Sequence, residues 1–164
     1  MDKKEAERIS SSIINILKRN YLLTLSTSKN NKPYSNTAFY AFDKNMGLYI
    51  WSEEESVHSE NLKKNKRVAI NIFDSRQKLG SLLQGLQATG TANIVDRREL
   101  INAGMLYIKR FPKTMKLVKN PNDFHSKLFE SRIYKINLEE IKVFDEKTFG
   151  KGGSRKISLK WKQT

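Results

Sequence analysis

The sequence predicts a mainly β, α+β fold, a small barrel with helices packed on its outside. Three observations predict it. Six or more short stretches read as strands, and those at 21–27, 67–73 and 157–161 alternate residue types with the period of a half-buried strand. The early breaks between them are short and rich in Asn, Asp, Gly and Pro, as antiparallel hairpins require. Three further stretches carry helical signals, and short strands interleaved with a few helices pack as a closed sheet with helices around it.

The elements follow in order. Residues 5–19 place Ile9, Ile13, Ile16 and Leu17 on one helix face, and Lys18 and Arg19 complement the dipole in the last turn. Residues 21–27 form a strand with Leu23 and Leu25 on one side and Thr24 and Ser26 on the other. A turn over 29–33, a strand over 34–42, a turn over 43–47 and a strand over 48–52 come next. Glu53, Glu54 and Glu55 approach a helix that Ser56 caps and that ends by Lys64 or Asn65. Residues 67–73 put Val68, Ile70 and Ile72 on one face, and 74–80 form a polar loop. Residues 82–96 read as a long strand region. Gly85 and Gly90 inside it point to a bulge or a close backbone approach. Residues 98–110 read as a helix with Leu100, Ile101, Met105 and Ile108 apolar, ended by Pro112. A short helical piece over 114–118 and a break at 121–123 precede two strands, 132–137 and 141–144, and an edge strand over 157–161.

A chain of 164 residues without a linker-like stretch is expected to be one domain, 1–164. At that size folding buries roughly two-thirds of the accessible surface, and 38% hydrophobic residues can fill a core. The absence of cysteine excludes disulfides and thiolate chemistry and fits a reducing compartment. No apolar run approaches the ~20 residues that span a bilayer, and residues 1–5 lack the apolar core of a signal peptide. A cytoplasmic protein with no membrane partner is expected.

The net charge is +14, unevenly placed: residues 1–96 carry +4 and residues 97–164 carry +10. The basic C-terminal segment 147–164 has six basic residues and no acidic one. Such a field keeps a protein soluble and attracts anions, phosphorylated cofactors as well as polynucleotides. Solubility is the favoured reading and nucleic acid the less favoured partner.

Chemistry concentrates between Asn36 and Gly90. A strand end at Trp51-Ser52, followed by Ser56-Val57-His58 at a helix start, offers hydroxyls, an imidazole and free backbone N–H groups, which suit a phosphate. Taken alone, Ser56 reads as readily as an N-cap, His58 as a solvated side chain, Trp51 and Phe39 as core residues and Gln87 as an outward polar residue. The order of Asn36-Thr37-Ala38-Phe39-Tyr40-Ala41-Phe42, Leu48 to Ser52, Ser56-Val57-His58-Ser59-Glu60-Asn61-Leu62, Arg67 to Ile72 and Gln87-Ala88-Thr89-Gly90 resembles the FMN-binding split β-barrel of the pyridoxamine 5′-phosphate oxidase-like superfamily. Asn36 to Asp43, Tyr49 to Glu54, Lys109 to Pro112, and Asp145 with Thr148 and Gly150 are similar to an uncharacterised bacterial branch of it.

The resemblance implies a six- to eight-stranded split barrel with three or more peripheral helices. It implies FMN, with haem or another flavin less favoured. Trp51, Ser52, Val57 and His58, with Ser56 beside them, fall where relatives bind the phosphate. Asn36, Thr37, Ala38 and Phe39 fall on the strand that runs beside the flavin ring. Gln87 falls on the strand that reaches the flavin or the dimer partner. A homodimer with the cofactor at its interface and a small-molecule substrate are implied, hence a flavin-dependent oxidoreductase. The alternatives are a non-catalytic flavin or haem carrier on the same barrel and a nucleic-acid-binding module using the basic C-terminal third. The true oxidases use arginine and lysine for the phosphate, where this chain has Asn36 and His58. The oxidase's C-terminal substrate-binding arginine and histidine have no counterpart, so pyridoxamine phosphate oxidation is not implied.

Other motifs are absent. His58 and His125 are the two histidines, with no His-Glu-x-x-His helix, so no metal site is expected. No Gly-x-Ser-x-Gly elbow exists, and residues 150–154 lack phosphate-loop spacing.

Overall fold

The structure, a computed structural model, describes residues 2–113 and 132–159. The expected helical piece at 114–118, the break at 121–123, His125 and the last strand beyond 159 lie outside the described residues.

Among the described residues seven strands form one antiparallel sheet: β1 (Leu22–Lys29), β2 (Lys32–Phe42), β3 (Leu48–Ser52), β4 (Arg67–Phe73), β5 (Gln84–Ile94), β6 (Arg132–Asp145) and β7 (Ser154–Ser158). Their order is β3-β2-β1-β4-β5-β6-β7, and β3 also pairs with β6, which closes the first six strands into a barrel. Among the described residues four helices accompany it: α1 (Lys3–Arg19), α2 (Val57–Lys64), α3 (Arg97–Arg110) and α4 (Glu146–Phe149). The β1–β2 hairpin turns on Asn30 and Asn31, both left-handed at φ 51° and 59°, as a two-residue loop between twisted strands demands.

The two strands expected at 132–137 and 141–144 are one. The β5–β6 ladder slips between Thr89↔Glu140 and Gly90↔Leu138, leaving Glu139 as the extra residue of a bulge. Gly90 makes this possible, because a Cβ there would lie 2.1 Å from the Asn137 carbonyl oxygen. One edge of β6 then serves two partners in turn, β3 over Arg132–Ile136 and β7 over Glu140–Phe144.

The barrel interior is filled by inward residues such as Leu23, Leu25, Ile70, Ile72 and Leu86, and α1 adds Ile9, Ile13, Ile16 and Leu17 to the same cluster. The end of α1 is held by Arg110, whose Nη2 donates to the carbonyls of Leu17 (2.6 Å) and Asn20 (2.5 Å). Its guanidinium lies over the rings of Tyr21, Tyr40 and Phe42. The opposite flank of α1 is tied by buried Asp145, which accepts from Ser12 Oγ (2.7 Å), Thr148 Oγ1 (2.7 Å) and Gln84 Nε2 (2.7 Å). Burial pushes that carboxyl up, but the hydrogen bonds outweigh it and hold it below its ordinary value.

The α3 helix buries Leu100, Ala103, Gly104 and Tyr107 against Ala41, Tyr49 and Ile133. Ile101 and Met105, apolar in the sequence pattern, face outward at 48% and 57% exposure. The buried stripe runs through small residues and a tyrosine, which lets α3 lie close over the β2–β3 seam.

Candidate functional site

The site begins where β2 and β3 part. They pair at Phe42↔Leu48, Ala41↔Tyr49 and Tyr40↔Ile50, and the next rung would join Phe39 to Trp51. Tyr107 occupies that rung. Its hydroxyl accepts from Trp51 N–H at 2.8 Å and lies 2.8 Å from the Phe39 carbonyl and 3.0 Å from the Tyr49 carbonyl, to which its proton can be donated. Burial pushes the phenol well above its usual range, so it remains a neutral donor. Beyond this wedge β3 stays on β6 through Trp51↔Ile133 and Ser52↔Arg132, while β2 stays on β1. Among the described residues, no strand pairs with the β3-facing edge of β2 from Lys32 to Phe39.

The β3 strand ends in a compact polar cluster. Ser52 Oγ lies 2.6 Å from His58 Nε2, 3.1 Å from Ser56 Oγ and 3.0 Å from Ser59 Oγ. Ser56 and Ser59 are 2.9 Å apart, and all three hydroxyls reach the Glu53 carbonyl, at 3.1, 2.9 and 2.8 Å. Each hydroxyl has one proton, so these contacts compete and the protons can turn toward a new acceptor. Ser56 also caps α2, accepting from Ser59 N–H. The cluster therefore stands at a helix N-terminus, where backbone N–H groups and the dipole favour an anion. His58 is half-buried, and that burial lowers its pKa, so the imidazole stays neutral around pH 7.

The acidic run beside the cluster is partly neutralised. Glu54 pairs with Arg132 at 2.9 Å and stands 4.0 Å from Lys63. Arg132 is the Cα partner of Ser52 in the β3–β6 ladder, so a cation from a distant part of the chain arrives at the cluster.

Residues 11–145 match the pyridoxamine 5′-phosphate oxidase family. The chain belongs to that family. A UPF0306 protein of Pasteurella multocida is 27% identical over 135 residues, 81% of each chain. Among solved structures, a haem-binding protein from Mycobacterium smegmatis superposes with TM-score 0.67 at 15% identity, over 94% of this chain and 56% of that one. An FAD-binding protein from Mesorhizobium loti superposes with TM-score 0.60 at 15% identity, over 86% and 92% of the two chains. At these identities the superpositions show a shared fold. This chain spans little more than half of the mycobacterial protein.

Within this oxidase-family barrel the sequence-derived residues fall into three places. Trp51, Ser52, Ser56, Val57 and His58 lie together at the β3 end and the α2 start, with Val57 exposed and Trp51 edge-on to Tyr107. On β2, Thr37 and Phe39 face outward, and the Phe39 ring packs on Phe111. Asn36 and Ala38 turn toward the interior, and the Asn36 side-chain oxygen Oδ1 is buried with no hydrogen-bond partner among the described residues. Gln87 is apart from both groups. The ladder runs Thr37↔Thr24↔Asn71↔Gln87, three strand spacings of ~4.8 Å each around the barrel wall. Gln87 lies there in an open groove of about 370 Å³ with Asn71, Lys142 and Lys156.

Ser59, Arg132 and Tyr107 were not legible as site residues. Ser59 stands in the 56–62 motif with no role assigned by the sequence, and the structure buries it fully. Arg132 is brought in by strand pairing alone. Tyr107 carried one available signal, a tyrosine on the helix face shared with Leu100 and Ala103, where a buried hydroxyl must find partners.

Proposed function

We propose that this protein binds FMN and serves as a flavin-dependent oxidoreductase for a small molecule. The observation that carries the reading is the Ser52–Ser56–Ser59–His58 cluster at the α2 N-terminus, beside a β2 edge held away from β3. The cluster suits a phosphate monoester: rotatable hydroxyls and helix N–H groups supply donors, and His58 can gain a proton when an anion arrives. The edge of β2 offers backbone groups to a planar heterocycle, and exposed Phe39 and half-buried Trp51 offer rings beside it. The Asn36 side-chain oxygen, on the inward side of the same strand, has no partner among the described residues. A bound flavin supplies the redox chemistry; the chain binds it, orients it and limits water around it. The cofactor is assigned to a homodimer interface, with Gln87 presented to the neighbouring subunit, which fits its distance from the cluster.

Anaerobic addition of NADH or NADPH to the flavin-loaded protein tests the enzyme reading: bleaching by a nicotinamide supports an oxidoreductase. A second reading is a non-catalytic flavin or haem carrier, favoured by the haem-binding and FAD-binding proteins that share the fold. Among the described residues His58 is the histidine available to a haem iron, and its Nε2 is engaged by Ser52 at 2.6 Å.

A further inference from the structure

We infer that Arg132 is the cation that recognises the FMN phosphate, and that Glu54 occupies it until the ligand arrives. This rests on the flavin reading of the site and names a specificity residue that the family pattern does not supply. That pattern leaves Asn36 and His58 where the true oxidases carry arginine and lysine, so the cluster has donors but no permanent positive charge.

The β3–β6 ladder supplies one. Ser52 and Arg132 are Cα partners at the end of that ladder, and residues directly opposite in an antiparallel pair project on the same face with Cβ atoms ~5 Å apart. A guanidinium reaches farther than that separation, so Arg132 can swing onto an anion held by the Ser52 and Ser56 hydroxyls. Its present partner is Glu54 Oε2 at 2.9 Å, with both side chains partly exposed, at 35% and 47%. An exposed carboxylate pair is weak and screened. A phosphate dianion offers more charge and a forked geometry that suits guanidinium better. Glu54 has an alternative partner in Lys63, 4.0 Å away, when Arg132 leaves. Exchange of partners thus admits the phosphate while Glu54 keeps a cation nearby, one it shares with Glu60, 2.7 Å from Lys63.

The experiment compares FMN and riboflavin binding in the full chain and in Arg132→Gln, Arg132→Lys and Glu54→Gln, with thermal melts confirming that each variant folds. Arg132→Gln should weaken FMN roughly tenfold or more and leave riboflavin within about twofold. Arg132→Lys should recover part of the loss. Glu54→Gln should tighten FMN by about threefold, since the competing carboxylate is gone. Equal losses for both flavins in Arg132→Gln, or weaker FMN binding in Glu54→Gln, would overturn the inference. If neither flavin binds the wild type, the flavin reading fails. Inorganic phosphate then decides the site, followed through the His58 imidazole signals in NMR. A saturable shift lost in Arg132→Gln and strengthened in Glu54→Gln supports the phosphate clamp, and no shift overturns it.

Discussion

Ser52 Oγ and His58 Nε2 stand 2.6 Å apart, joining the last residue of β3 to the first turn of α2. This contact fixes the angle at which the helix N-terminus meets the barrel. Ser52 is buried, so removal of its hydroxyl leaves His58 and the neighbouring serines to find new partners in little space. Ser52→Ala should cost about 1–3 kcal/mol in urea unfolding. It should also narrow the preference for FMN over riboflavin. A variant of wild-type stability and undiminished preference would mean that the contact is incidental.

The lowered His58 pKa sets a pH dependence with a definite sign. In the unfolded chain the imidazole titrates near ~6.5, and in the folded chain burial holds it lower. Below ~6.5 the unfolded state binds more protons, so stability is lost as the pH is lowered through that window, until the folded pKa is passed. His58→Gln should flatten this part of the melting-temperature profile between pH 7 and 5. A bound phosphate dianion reverses the shift by favouring the imidazolium. The preference for FMN over riboflavin should therefore be larger at pH 6 than at pH 8, blunted by the second phosphate ionisation near ~6. A preference that rises with pH would contradict the role of His58.

Tyr107→Phe keeps the ring and removes the hydroxyl that separates Phe39 from Trp51. The freed groups are in register to bond each other, so β2 and β3 should pair by one further rung. Hydrogen exchange should find the Trp51 amide still protected, and the melting temperature should change by only a few degrees, equivalent to about 1 kcal/mol. Flavin affinity should fall about tenfold as the gap narrows. Faster exchange at Trp51 would show that the seam opens and that the hydroxyl only stabilises it.

Much of the fold was legible from periodicity. Ile9, Ile13, Ile16 and Leu17 marked the buried face of α1, a short apolar run after a turn delimited β3 at Leu48–Ser52, and alternation delimited β4 at Arg67–Phe73. Gly90 announced a close approach inside β5. Its consequence on the facing strand was hidden, because Glu139 and Glu140 look like a break between strands when they are a bulge and a solvent-facing rung. The candidate site was half legible. Ser52, Ser56 and His58 lie within seven residues of one another, so local pattern grouped them. Arg132 and Tyr107 join them through a sheet ladder and a helix packing, and no local pattern encodes either. Gln87 was grouped with them by family analogy, yet within one chain it lies three strands away.

Gly90 offers a test of the bulge. An added methyl would stand 2.1 Å from the Asn137 oxygen and 3.1 Å from Leu138 Cα, both backbone atoms that cannot rotate aside. Gly90→Ala should cost about 3 kcal/mol or more in urea unfolding. A cost below ~1 kcal/mol would mean that β5 and β6 are farther apart than described.

The most direct test of the central claim is the visible absorbance spectrum of freshly purified protein, with mass spectrometry of whatever is released on denaturation. Flavin binding predicts a yellow protein, the colour of the cofactor itself, and release of FMN. The partner assignment predicts light scattering near twice the 19.0 kDa chain mass for the same sample. A colourless protein that stays colourless after incubation with excess FMN, or one that releases haem instead, would contradict the account.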